Sequence, residues 1–304
     1  MRGVIVGYGT MGRVHHRRLQ ALGAEVVAVV DPFLDFDGLS SLQGARLCTT
    51  LADLHHEPAI DFICICSPTH LHLSHIEQAL PFDAALLVEK PVVRTPREAD
   101  RLRQLSCRRP LMVAEVEQFN PVLAPFLRCS GTPRRIRISR RVNLKAFLHG
   151  SSHQPWFLDE NRSGGIVLDL MVHDLTLLIV KYGVPQIETV SGRRLRRACI
   201  DDVRVSLNFG HWRADLHGSW AADPGPSPII TDLHLETRED ERINLLCDSY
   251  GLWGQAEAND PFLHELNTFL ESVRSGQAPC PLEPYLQAVE LAGAITTRMH
   301  GTAP

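Results

Sequence analysis

Three glycines near the start of the chain have the spacing G-x-G-x-x-G, and they follow a short apolar run at residues 4–6. In such a run the first glycine allows a tight turn, the second lets a pyrophosphate approach the backbone, and the third lets the next helix pack closely on the strand. The start of that helix offers unpaired N–H groups and a partial positive charge to phosphates. The sequence therefore predicts a dinucleotide-phosphate site formed by Gly7, Tyr8, Gly9, Thr10, Met11 and Gly12.

An acidic residue, Asp31, follows the next apolar run at residues 25–30. A carboxylate in this place accepts hydrogen bonds from a ribose 2′-hydroxyl and repels a 2′-phosphate. No arginine lies immediately beside Asp31 in the sequence. The pattern therefore favours NAD over NADP as the cofactor.

Polar residues also follow the next apolar runs along the chain. The run SPTHLH at residues 67–72 comes after one of them, and Glu89-Lys90-Pro91 comes after another. Ligands of open α/β sheets bind beyond the carboxyl ends of the strands, so we expect Thr69 and Lys90 beside the glycine turn. The structural alternative is that Lys90 is only a solvated strand cap.

Asp169 and His173 lie in a strongly apolar stretch, about residues 166–182, which predicts one helix ending before Gly183. Residues four positions apart share one helix face. Burying an unpaired carboxylate costs several kcal/mol, so Asp169 needs a partner or a wet cavity. Two interpretations remain open: an Asp–His pair that serves only the structure, or a catalytic pair.

The pattern of apolar residues, which predicts the elements that position these residues, changes along the chain. In the first third, continuous apolar runs alternate with helical segments at 70–80 and 96–106, which is typical of a doubly wound parallel sheet. After about residue 121, apolar and polar residues alternate as they do in antiparallel strands, and helices are expected at 261–274 and 284–299. The sequence predicts an α/β protein, with a Rossmann domain at residues 1–120 and a mostly antiparallel α+β domain at residues 121–304.

Together these runs resemble the Gfo/Idh/MocA family of sugar and inositol dehydrogenases. The resemblance covers nearly the whole chain, and its order is that of the family. The matching features are GYGTMGRVH at 7–15, SPTHLH, VEKP at 88–91, EQFNP at 117–121, Trp156 before Ser-Gly-Gly, the D-x-x-x-H helix and a helix at 262–269. The resemblance implies a large open sheet in the second domain, a small polar substrate, and a homodimer or homotetramer formed through that sheet.

The resemblance also implies roles for individual residues. Lys90 reaches the reacting substrate hydroxyl near the nicotinamide, and Asp169 and His173 meet the substrate from the second domain, with His173 as general acid or base. Histidine suits this role because its ordinary pKa lies near operating pH. The implied cofactor contacts, besides the turn and Asp31, are Ser67, Pro68, Thr69, His72, Glu89 and Lys90, and the implied substrate contacts include Glu117, Asn120 and Trp156.

The EQFNP run is similar to the ERFNP run of the branch that contains UDP-N-acetylglucosamine 3-dehydrogenases, so a sugar or sugar-nucleotide 3-dehydrogenase is the leading substrate hypothesis. The sequence departs from the family pattern in three places. Gln118 replaces an arginine, Ala114-Glu115 replaces Gly-His, and Met171 replaces a common glycine. The larger Met171 side chain is expected either to narrow the pocket or to shift the helix.

Other functions on the same scaffold stay open. They are a reductase of a C=N or C=C substrate and a non-catalytic NAD-dependent sensor, although Lys90 with His173 favours alcohol chemistry. Fifteen histidines suggest a zinc enzyme, but their spacing, including that of His72 and His75, completes no recognisable metal site. We therefore expect no metal.

Bulk composition excludes several classes of protein. The net charge of −4 argues against a broad nucleic-acid surface. No apolar run approaches the roughly 20 residues that span a bilayer. The N-terminus has no signal-peptide pattern and the eight cysteines have no pairing pattern, so we expect a cytoplasmic protein. The arginine-rich stretch 193–197 is expected either to bind a nucleotide diphosphate or to face solvent.

Overall fold

The computed structural model describes residues 1–34, 42, 44–57, 59–144, 156–197, 199–221, 228–248 and 259–301. The strands and helices in chain order are β1 (Arg2–Val6), α1 (Thr10–Ala21), β2 (Glu25–Val30), β3 (Arg46–Cys48), β4 (Phe62–Ile65), α2 (His72–Ala79), β5 (Ala85–Glu89), α3 (Pro96–Gln104), β6 (Leu111–Ala114), α4 (Ala124–Arg128), β7 (Pro133–Val142), α5 (Glu160–Ser163), α6 (Gly165–Asp169), α7 (Val172–Tyr182), β8 (Gln186–Arg193), β9 (Asp202–Asn208), β10 (Arg213–Ser219), β11 (Ile229–Thr237), β12 (Arg242–Asp248), α8 (Pro261–Ser275) and α9 (Glu283–Gly301). Short 3₁₀ turns are Leu51–Leu54, Thr69–Leu71, Leu80–Phe82, Val116–Phe119, Pro121–Leu123 and Trp156–Leu158.

The chain forms two compact units. Unit 1 consists of Met1–Val116 and Phe262–Glu283, and unit 2 consists of Glu117–Pro261 and Pro284–Pro304. The predicted division placed one boundary after residue 120. In the structure the chain leaves unit 1 near that point and returns to it with α8.

Unit 1 contains a parallel six-stranded sheet in the order β3-β2-β1-β4-β5-β6. This is the strand order of a Rossmann domain, and the predicted fold class is confirmed. The central strands are buried on both faces, and all five residues of β5 are buried. Continuous apolar runs therefore identified them, whereas β3 has only three residues, two of them exposed, and was not predicted.

Unit 2 contains a six-stranded sheet in the order β12-β11-β7-β10-β9-β8. Every pairing is antiparallel except that of β7 with β10, which confirms the predicted mostly antiparallel sheet. Three strands were missed. The edge strand β8 has no buried residue, β12 carries the exposed Leu246 next to its inward-facing residues, and β10 directs the small residues Ala214 and Gly218 inward.

The predicted single helix over residues 166–182 is wrong, because the stretch contains two helices, α6 and α7. At the break, the N–H of Met171 donates to the carbonyl of Ile166, five positions back, at 3.2 Å. Such a wide turn bends a helix. The argument from regular spacing therefore does not extend from Asp169 to His173.

Among the described residues, no single helix is long and apolar enough to cross a membrane. The segments Glu160–Asp169 and Val172–Tyr182 meet the length and composition criteria only when they are combined across a bend of 52°.

The side chain of Met171 is completely buried and packs against Gly218 of β10. A Cβ atom built on Gly218 would lie 2.6 Å from Cγ and 2.9 Å from Sδ of Met171. The larger residue at this position is therefore accommodated by a glycine in the sheet beside the helix break.

This packing predicts a non-additive pair of substitutions. Gly218→Ala should lower the free energy of unfolding by about 1–3 kcal/mol through overpacking, and Met171→Ala by about 2–5 kcal/mol through cavity formation. In the double variant the alanine methyl enters the space that Met171 vacates, so the loss should be smaller than the sum. Urea unfolding of the four proteins measures this.

Gly192 provides a matched control, because a Cβ there would meet Met299 rather than Met171. Gly192→Ala combined with Met171→Ala should be additive. Additivity of Gly218→Ala with Met171→Ala would contradict the proposed contact.

Candidate active site

The glycine turn between β1 and α1 has two positions that the fold requires and one that it leaves open. Gly7 has φ +87°, and a Cβ there would lie 2.6 Å from backbone atoms of Ser67. A Cβ on Gly12 would lie 2.2 Å from the carbonyl oxygen of Gly7. A Cβ on Gly9 would meet no atom of the described residues within 4 Å. Gly9 therefore borders open space at the start of α1.

The start of α1 and Asp31 fit a dinucleotide. Among the described residues, no side chain caps the N-terminus of α1, and its first turn contains no acidic residue. Its N–H groups are therefore available to phosphates. The Asp31 carboxylate accepts hydrogen bonds from the N–H of Tyr8 at 2.8 Å and of Phe33 at 2.9 Å. A carboxylate has about four acceptor positions, so this fixed group retains capacity for ribose hydroxyls.

The side chains of the turn point in different directions. The Tyr8 ring is buried, and its hydroxyl lies 2.5 Å from Nδ1 of His16. Burial lowers the pKa of His16. Tyr8 therefore presents backbone to the turn, while Thr10 is exposed and Met11 is half-buried.

His72 joins the loop after β4 to the loop after β5. Its ring nitrogens lie 2.9 Å from the carbonyl oxygen of Pro91 and 2.7 Å from that of Ser67. Burial lowers the pKa of His72, although the two carbonyl groups and Glu89 oppose this shift. The SPTHLH run, including buried Thr69 and half-buried Pro68, is thereby tied to the backbone beside Lys90.

Glu89 anchors the backbone of Lys90. Its Oε1 lies 2.7 Å from Nε2 of His15, which comes from α1, and its Oε2 accepts the N–H of Lys90 at 3.2 Å. Burial raises the pKa of Glu89. The hydrogen bond and charge of His15, together with the charge of Lys90, lower this pKa by more than burial raises it, so the net shift is downward. Lys90 itself is half-buried. The ionised Glu89 thus connects the strand end to the helix that follows the glycine turn.

Two further buried acids near Glu89 were not predicted, Glu115 after β6 and Glu265 on α8. Glu265 has no exposed surface, and neither of its carboxyl oxygens has a hydrogen-bond partner among the described residues. Burial raises the pKa of Glu265 well above its ordinary range, and the charges of Glu89 and Glu115 raise it further. Burial and both neighbouring charges therefore favour the protonated, neutral form of Glu265. Its place on the apolar face of α8, between Phe262 and Phe269, was a signal available in the sequence.

Glu265 makes stability depend on pH. Because its folded-state pKa is raised, the stabilising contribution of the protonated form is complete below the ordinary glutamate pKa of about 4.3, and it is lost as the pH rises through the folded-state value. Glu265→Gln stays neutral at every pH. Its unfolding temperature should therefore exceed that of the wild type at about pH 8.5 by several degrees, and the difference should shrink at about pH 5.

Circular dichroism melts at both pH values test this prediction. Glu271→Gln, an exposed position on the same helix, is the matched control and should show no pH-dependent difference. A wild-type protein that loses no stability relative to Glu265→Gln on going to alkaline pH would refute a neutral Glu265.

In unit 2, Asp169 and His173 stand out by exposure. Every residue from Gly165 to Ile179 is buried except these two, which are half-buried. The helix break between them therefore does not bury either side chain. Both are polar groups on an otherwise apolar pair of helices.

A buried arginine from β7 lies between two carboxylates. Arg140 Nη1 donates to Glu117 at 2.6 Å, and Nη2 and Nε donate to Asp174 at 2.8 Å and 3.1 Å. Burial raises the pKa of Glu117, but the charges of Arg140 and His173 lower it to about 2. Burial also raises the pKa of Asp174, against the opposing charge of Arg140. We call Glu117, Arg140 and Asp174 the Arg140 network.

The predicted substrate contacts of the EQFNP run lie inside unit 2. Glu117 is 6% exposed and Asn120 is 2% exposed. The Asn120 side chain donates to Glu117 at 2.8 Å and to Cys247 Sγ at 3.2 Å. The side-chain amide of Gln118, which departs from the family pattern, donates a hydrogen bond to the hydroxyl of Tyr285 on α9 at 3.0 Å. Trp156 is half-buried and lies edge-on to Phe157.

The arginine-rich stretch forms the turn between β8 and β9. Its backbone N–H groups at Leu195 and Arg196 donate to Asp201 at 2.6 Å and 2.8 Å. Arg193, Arg194 and Arg196 are exposed. The described part of the chain contains no group of three or more His, Cys, Asp or Glu side chains that could hold a metal ion.

Comparison with known proteins identifies both halves of the chain. Residues 1–116 match the family described as an oxidoreductase family with an NAD-binding Rossmann fold, and residues 130–246 match the GFO/IDH/MocA C-terminal domain. The chain is 25% identical over 225 residues to UDP-N-acetylglucosamine 3-dehydrogenase of Acidithiobacillus ferrooxidans, a match that spans 72% of this chain and 62% of that enzyme.

Two other relatives match over nearly their full length. Inositol 2-dehydrogenase of Rhizobium meliloti is 26% identical over 91% of this chain and 90% of that enzyme. The crystal structure of a myo-inositol dehydrogenase from Corynebacterium glutamicum has the same fold, with a TM-score of 0.81, 20% identity, and coverage of 100% of this chain and 99% of that one. Because the two family matches together span most of the chain and agree with the observed folds of both units, the protein belongs to the Gfo/Idh/MocA family of NAD-binding oxidoreductases.

Proposed function

We propose that the protein transfers hydride between NAD and a secondary hydroxyl of a sugar, sugar nucleotide or cyclitol. The observation that carries this proposal is the exposure pattern of α6 and the first part of α7, where Asp169 and His173 are the two residues between Gly165 and Ile179 that are not buried. A proton acceptor and a polar substrate ligand are what oxidation of an alcohol requires from a protein. The names of the enzymes to which the chain is similar support the same substrate classes.

The proposed chemistry assigns one role to each side chain. Bound NAD supplies the hydride acceptor at the nicotinamide C4. His173 accepts the hydroxyl proton, and Lys90 stabilises the negative charge that develops on the substrate oxygen. Asp169 orients the imidazole or binds a second hydroxyl. In the reducing direction His173 returns the proton to the oxygen.

The preference for NAD over NADP rests on Asp31. Backbone N–H groups fix its carboxylate where a ribose 2′-hydroxyl would bind, and a 2′-phosphate there would meet a like charge. We propose direct cofactor contacts for the turn, for Ser67, Pro68 and Thr69, and for Lys90. The burial of His72 and Glu89 and their hydrogen bonds favour supporting roles beside these contacts.

Within the substrate classes, a sugar-nucleotide 3-hydroxyl is our first candidate, because of the EQFNP run and the similarity to the Acidithiobacillus enzyme. We also propose a homodimer or homotetramer formed through the unit 2 sheet. One face of that sheet carries half-exposed charge pairs such as Arg135 with Asp215 and Arg141 with Asp232. Light scattering that finds a monomer would contradict this assembly.

The first test is nicotinamide absorbance with NAD or NADP and a panel of UDP-sugars, free sugars and inositols. An NAD-dependent rise with a UDP-sugar supports the first candidate, and a rise with free sugars or inositols alone keeps the chemistry and removes the sugar-nucleotide assignment. NADH binding without turnover of any alcohol would contradict the proposal and direct attention to C=N or C=C substrates or to a sensor.

Protein variants assayed with the substrate found in the panel test the roles of the residues. His173→Ala should lower kcat by about 10²- to 10⁴-fold, which is the usual contribution of a general acid–base group, while NADH affinity stays near that of the wild type. Lys90→Ala should also lower kcat because the developing charge loses its counter-ion. His234→Ala, an exposed histidine on β11, is the matched control and should retain full activity. A fully active His173→Ala protein would disprove the assignment.

A further inference from the structure

The Arg140 network joins three separate parts of unit 2. Glu117 comes from the 3₁₀ turn at Val116–Phe119, Arg140 from β7, and Asp174 from α7. All three side chains are at least nine-tenths buried. Taking such charges out of water costs several kcal/mol per ion unless each is well paired. The geometry meets that condition, because Arg140 donates to both carboxylates at hydrogen-bond distance.

The network does not balance its own charge. The lowered pKa of Glu117 keeps that carboxyl ionised, and the hydrogen bonds from Arg140 favour the ionised form of Asp174 against the upward pKa shift that burial causes, so two carboxylates share one positive charge. One negative charge therefore remains in excess in a buried setting, where screening is weak.

The excess charge lies next to His173. Asp174 is its neighbour on α7, and the positive charge of His173 acts on both Glu117 and Asp174. Both carboxylates also bind Arg140 of β7, and the half-buried Asp169 precedes His173 by four residues across the helix break. Electrostatic attraction is mutual, so the carboxylates favour the imidazolium form of His173.

We propose that Glu117, Arg140 and Asp174 are positioning residues that hold α7 at His173 and set the pH range in which this histidine exchanges its proton. The inference rests on the proposed function of His173 as general acid or base. It also gives the buried Glu117 a role that its burial permits, through Arg140 and His173 rather than by direct substrate contact.

The test is the pH dependence of kcat and kcat/KM in the full-length enzyme, with the substrate that the panel identifies. Glu117→Gln keeps the shape of the side chain and an oxygen for Arg140, but it removes the excess charge. His173 should then lose its proton at lower pH, so the acidic limb of the alcohol-oxidation profile should move down by about one pH unit, which is the usual effect of one nearby charge. KM should change little.

Three further variants make the result specific. Glu117→Asp keeps the charge and should return the limb towards its wild-type position, even if kcat falls. Glu188→Gln removes the charge from an exposed ion pair with Arg213, 2.6 Å apart and involving the edge strand β8, and should leave the profile unchanged. Asp174→Asn removes the excess charge from the other side of Arg140, so it should move the limb in the same direction and can replace Glu117→Gln if that variant does not fold.

The outcomes separate this inference from the function on which it rests. An unmoved acidic limb in a folded Glu117→Gln or Asp174→Asn enzyme, together with an inactive His173→Ala enzyme, would overturn the positioning role and leave the proposed function standing. A fully active His173→Ala enzyme would overturn both.

Discussion

The buried guanidinium of Arg140 is the interaction on which the geometry of unit 2 depends. It connects a turn, a central strand and the helix that carries His173 through hydrogen bonds of 2.6 Å to 3.1 Å. Removing one partner from such an arrangement leaves an uncompensated buried charge and costs about 3–5 kcal/mol. The position of α7 relative to the sheet is therefore tightly specified, and so is the backbone at His173.

Unit 1 shows how partners decide the state of a buried acid. Glu89 is ionised because His15 and Lys90 supply positive charge and a hydrogen bond. At Glu265, burial and neighbouring negative charges both raise the pKa and favour the neutral form. Lys90 thus follows the ionised Glu89 at the end of β5, while the pKa shift of Glu265 on α8 disfavours a second negative charge. The arrangement limits repulsion among three acids in one core and keeps the strand end joined to α1.

Sequence patterns were sufficient to predict the elements whose buried residues follow the apolar pattern of the chain. The central strands of the parallel sheet are apolar on both faces, and the glycine turn has steric requirements that only glycine meets at Gly7 and Gly12. Sequence patterns could not predict features that depend on contacts between residues distant in the sequence. The helix break at Met171 depends on space above Gly218, and the burial of Arg140 depends on Glu117 and on α7.

The candidate site was also predictable only in part. The positions of Asp31 and the SPTHLH run were predictable because strand ends of a parallel sheet gather at one edge. Asp169 and His173 were selected by a helix-spacing argument that the break invalidates, but their half-exposure in a buried stretch keeps both as candidate site residues of unit 2. The buried state of Glu117 and Asn120 could not be read from a motif, since a motif records residue types and not their partners.

The central claim is that hydride leaves a carbinol carbon of the substrate for the nicotinamide. Its most direct measurement is mass spectrometry of NADH produced from a substrate deuterated at that carbon. The account predicts one deuterium per NADH, located at C4 of the nicotinamide ring. NADH that contains no deuterium, or substrate consumed without formation of NADH, would contradict it.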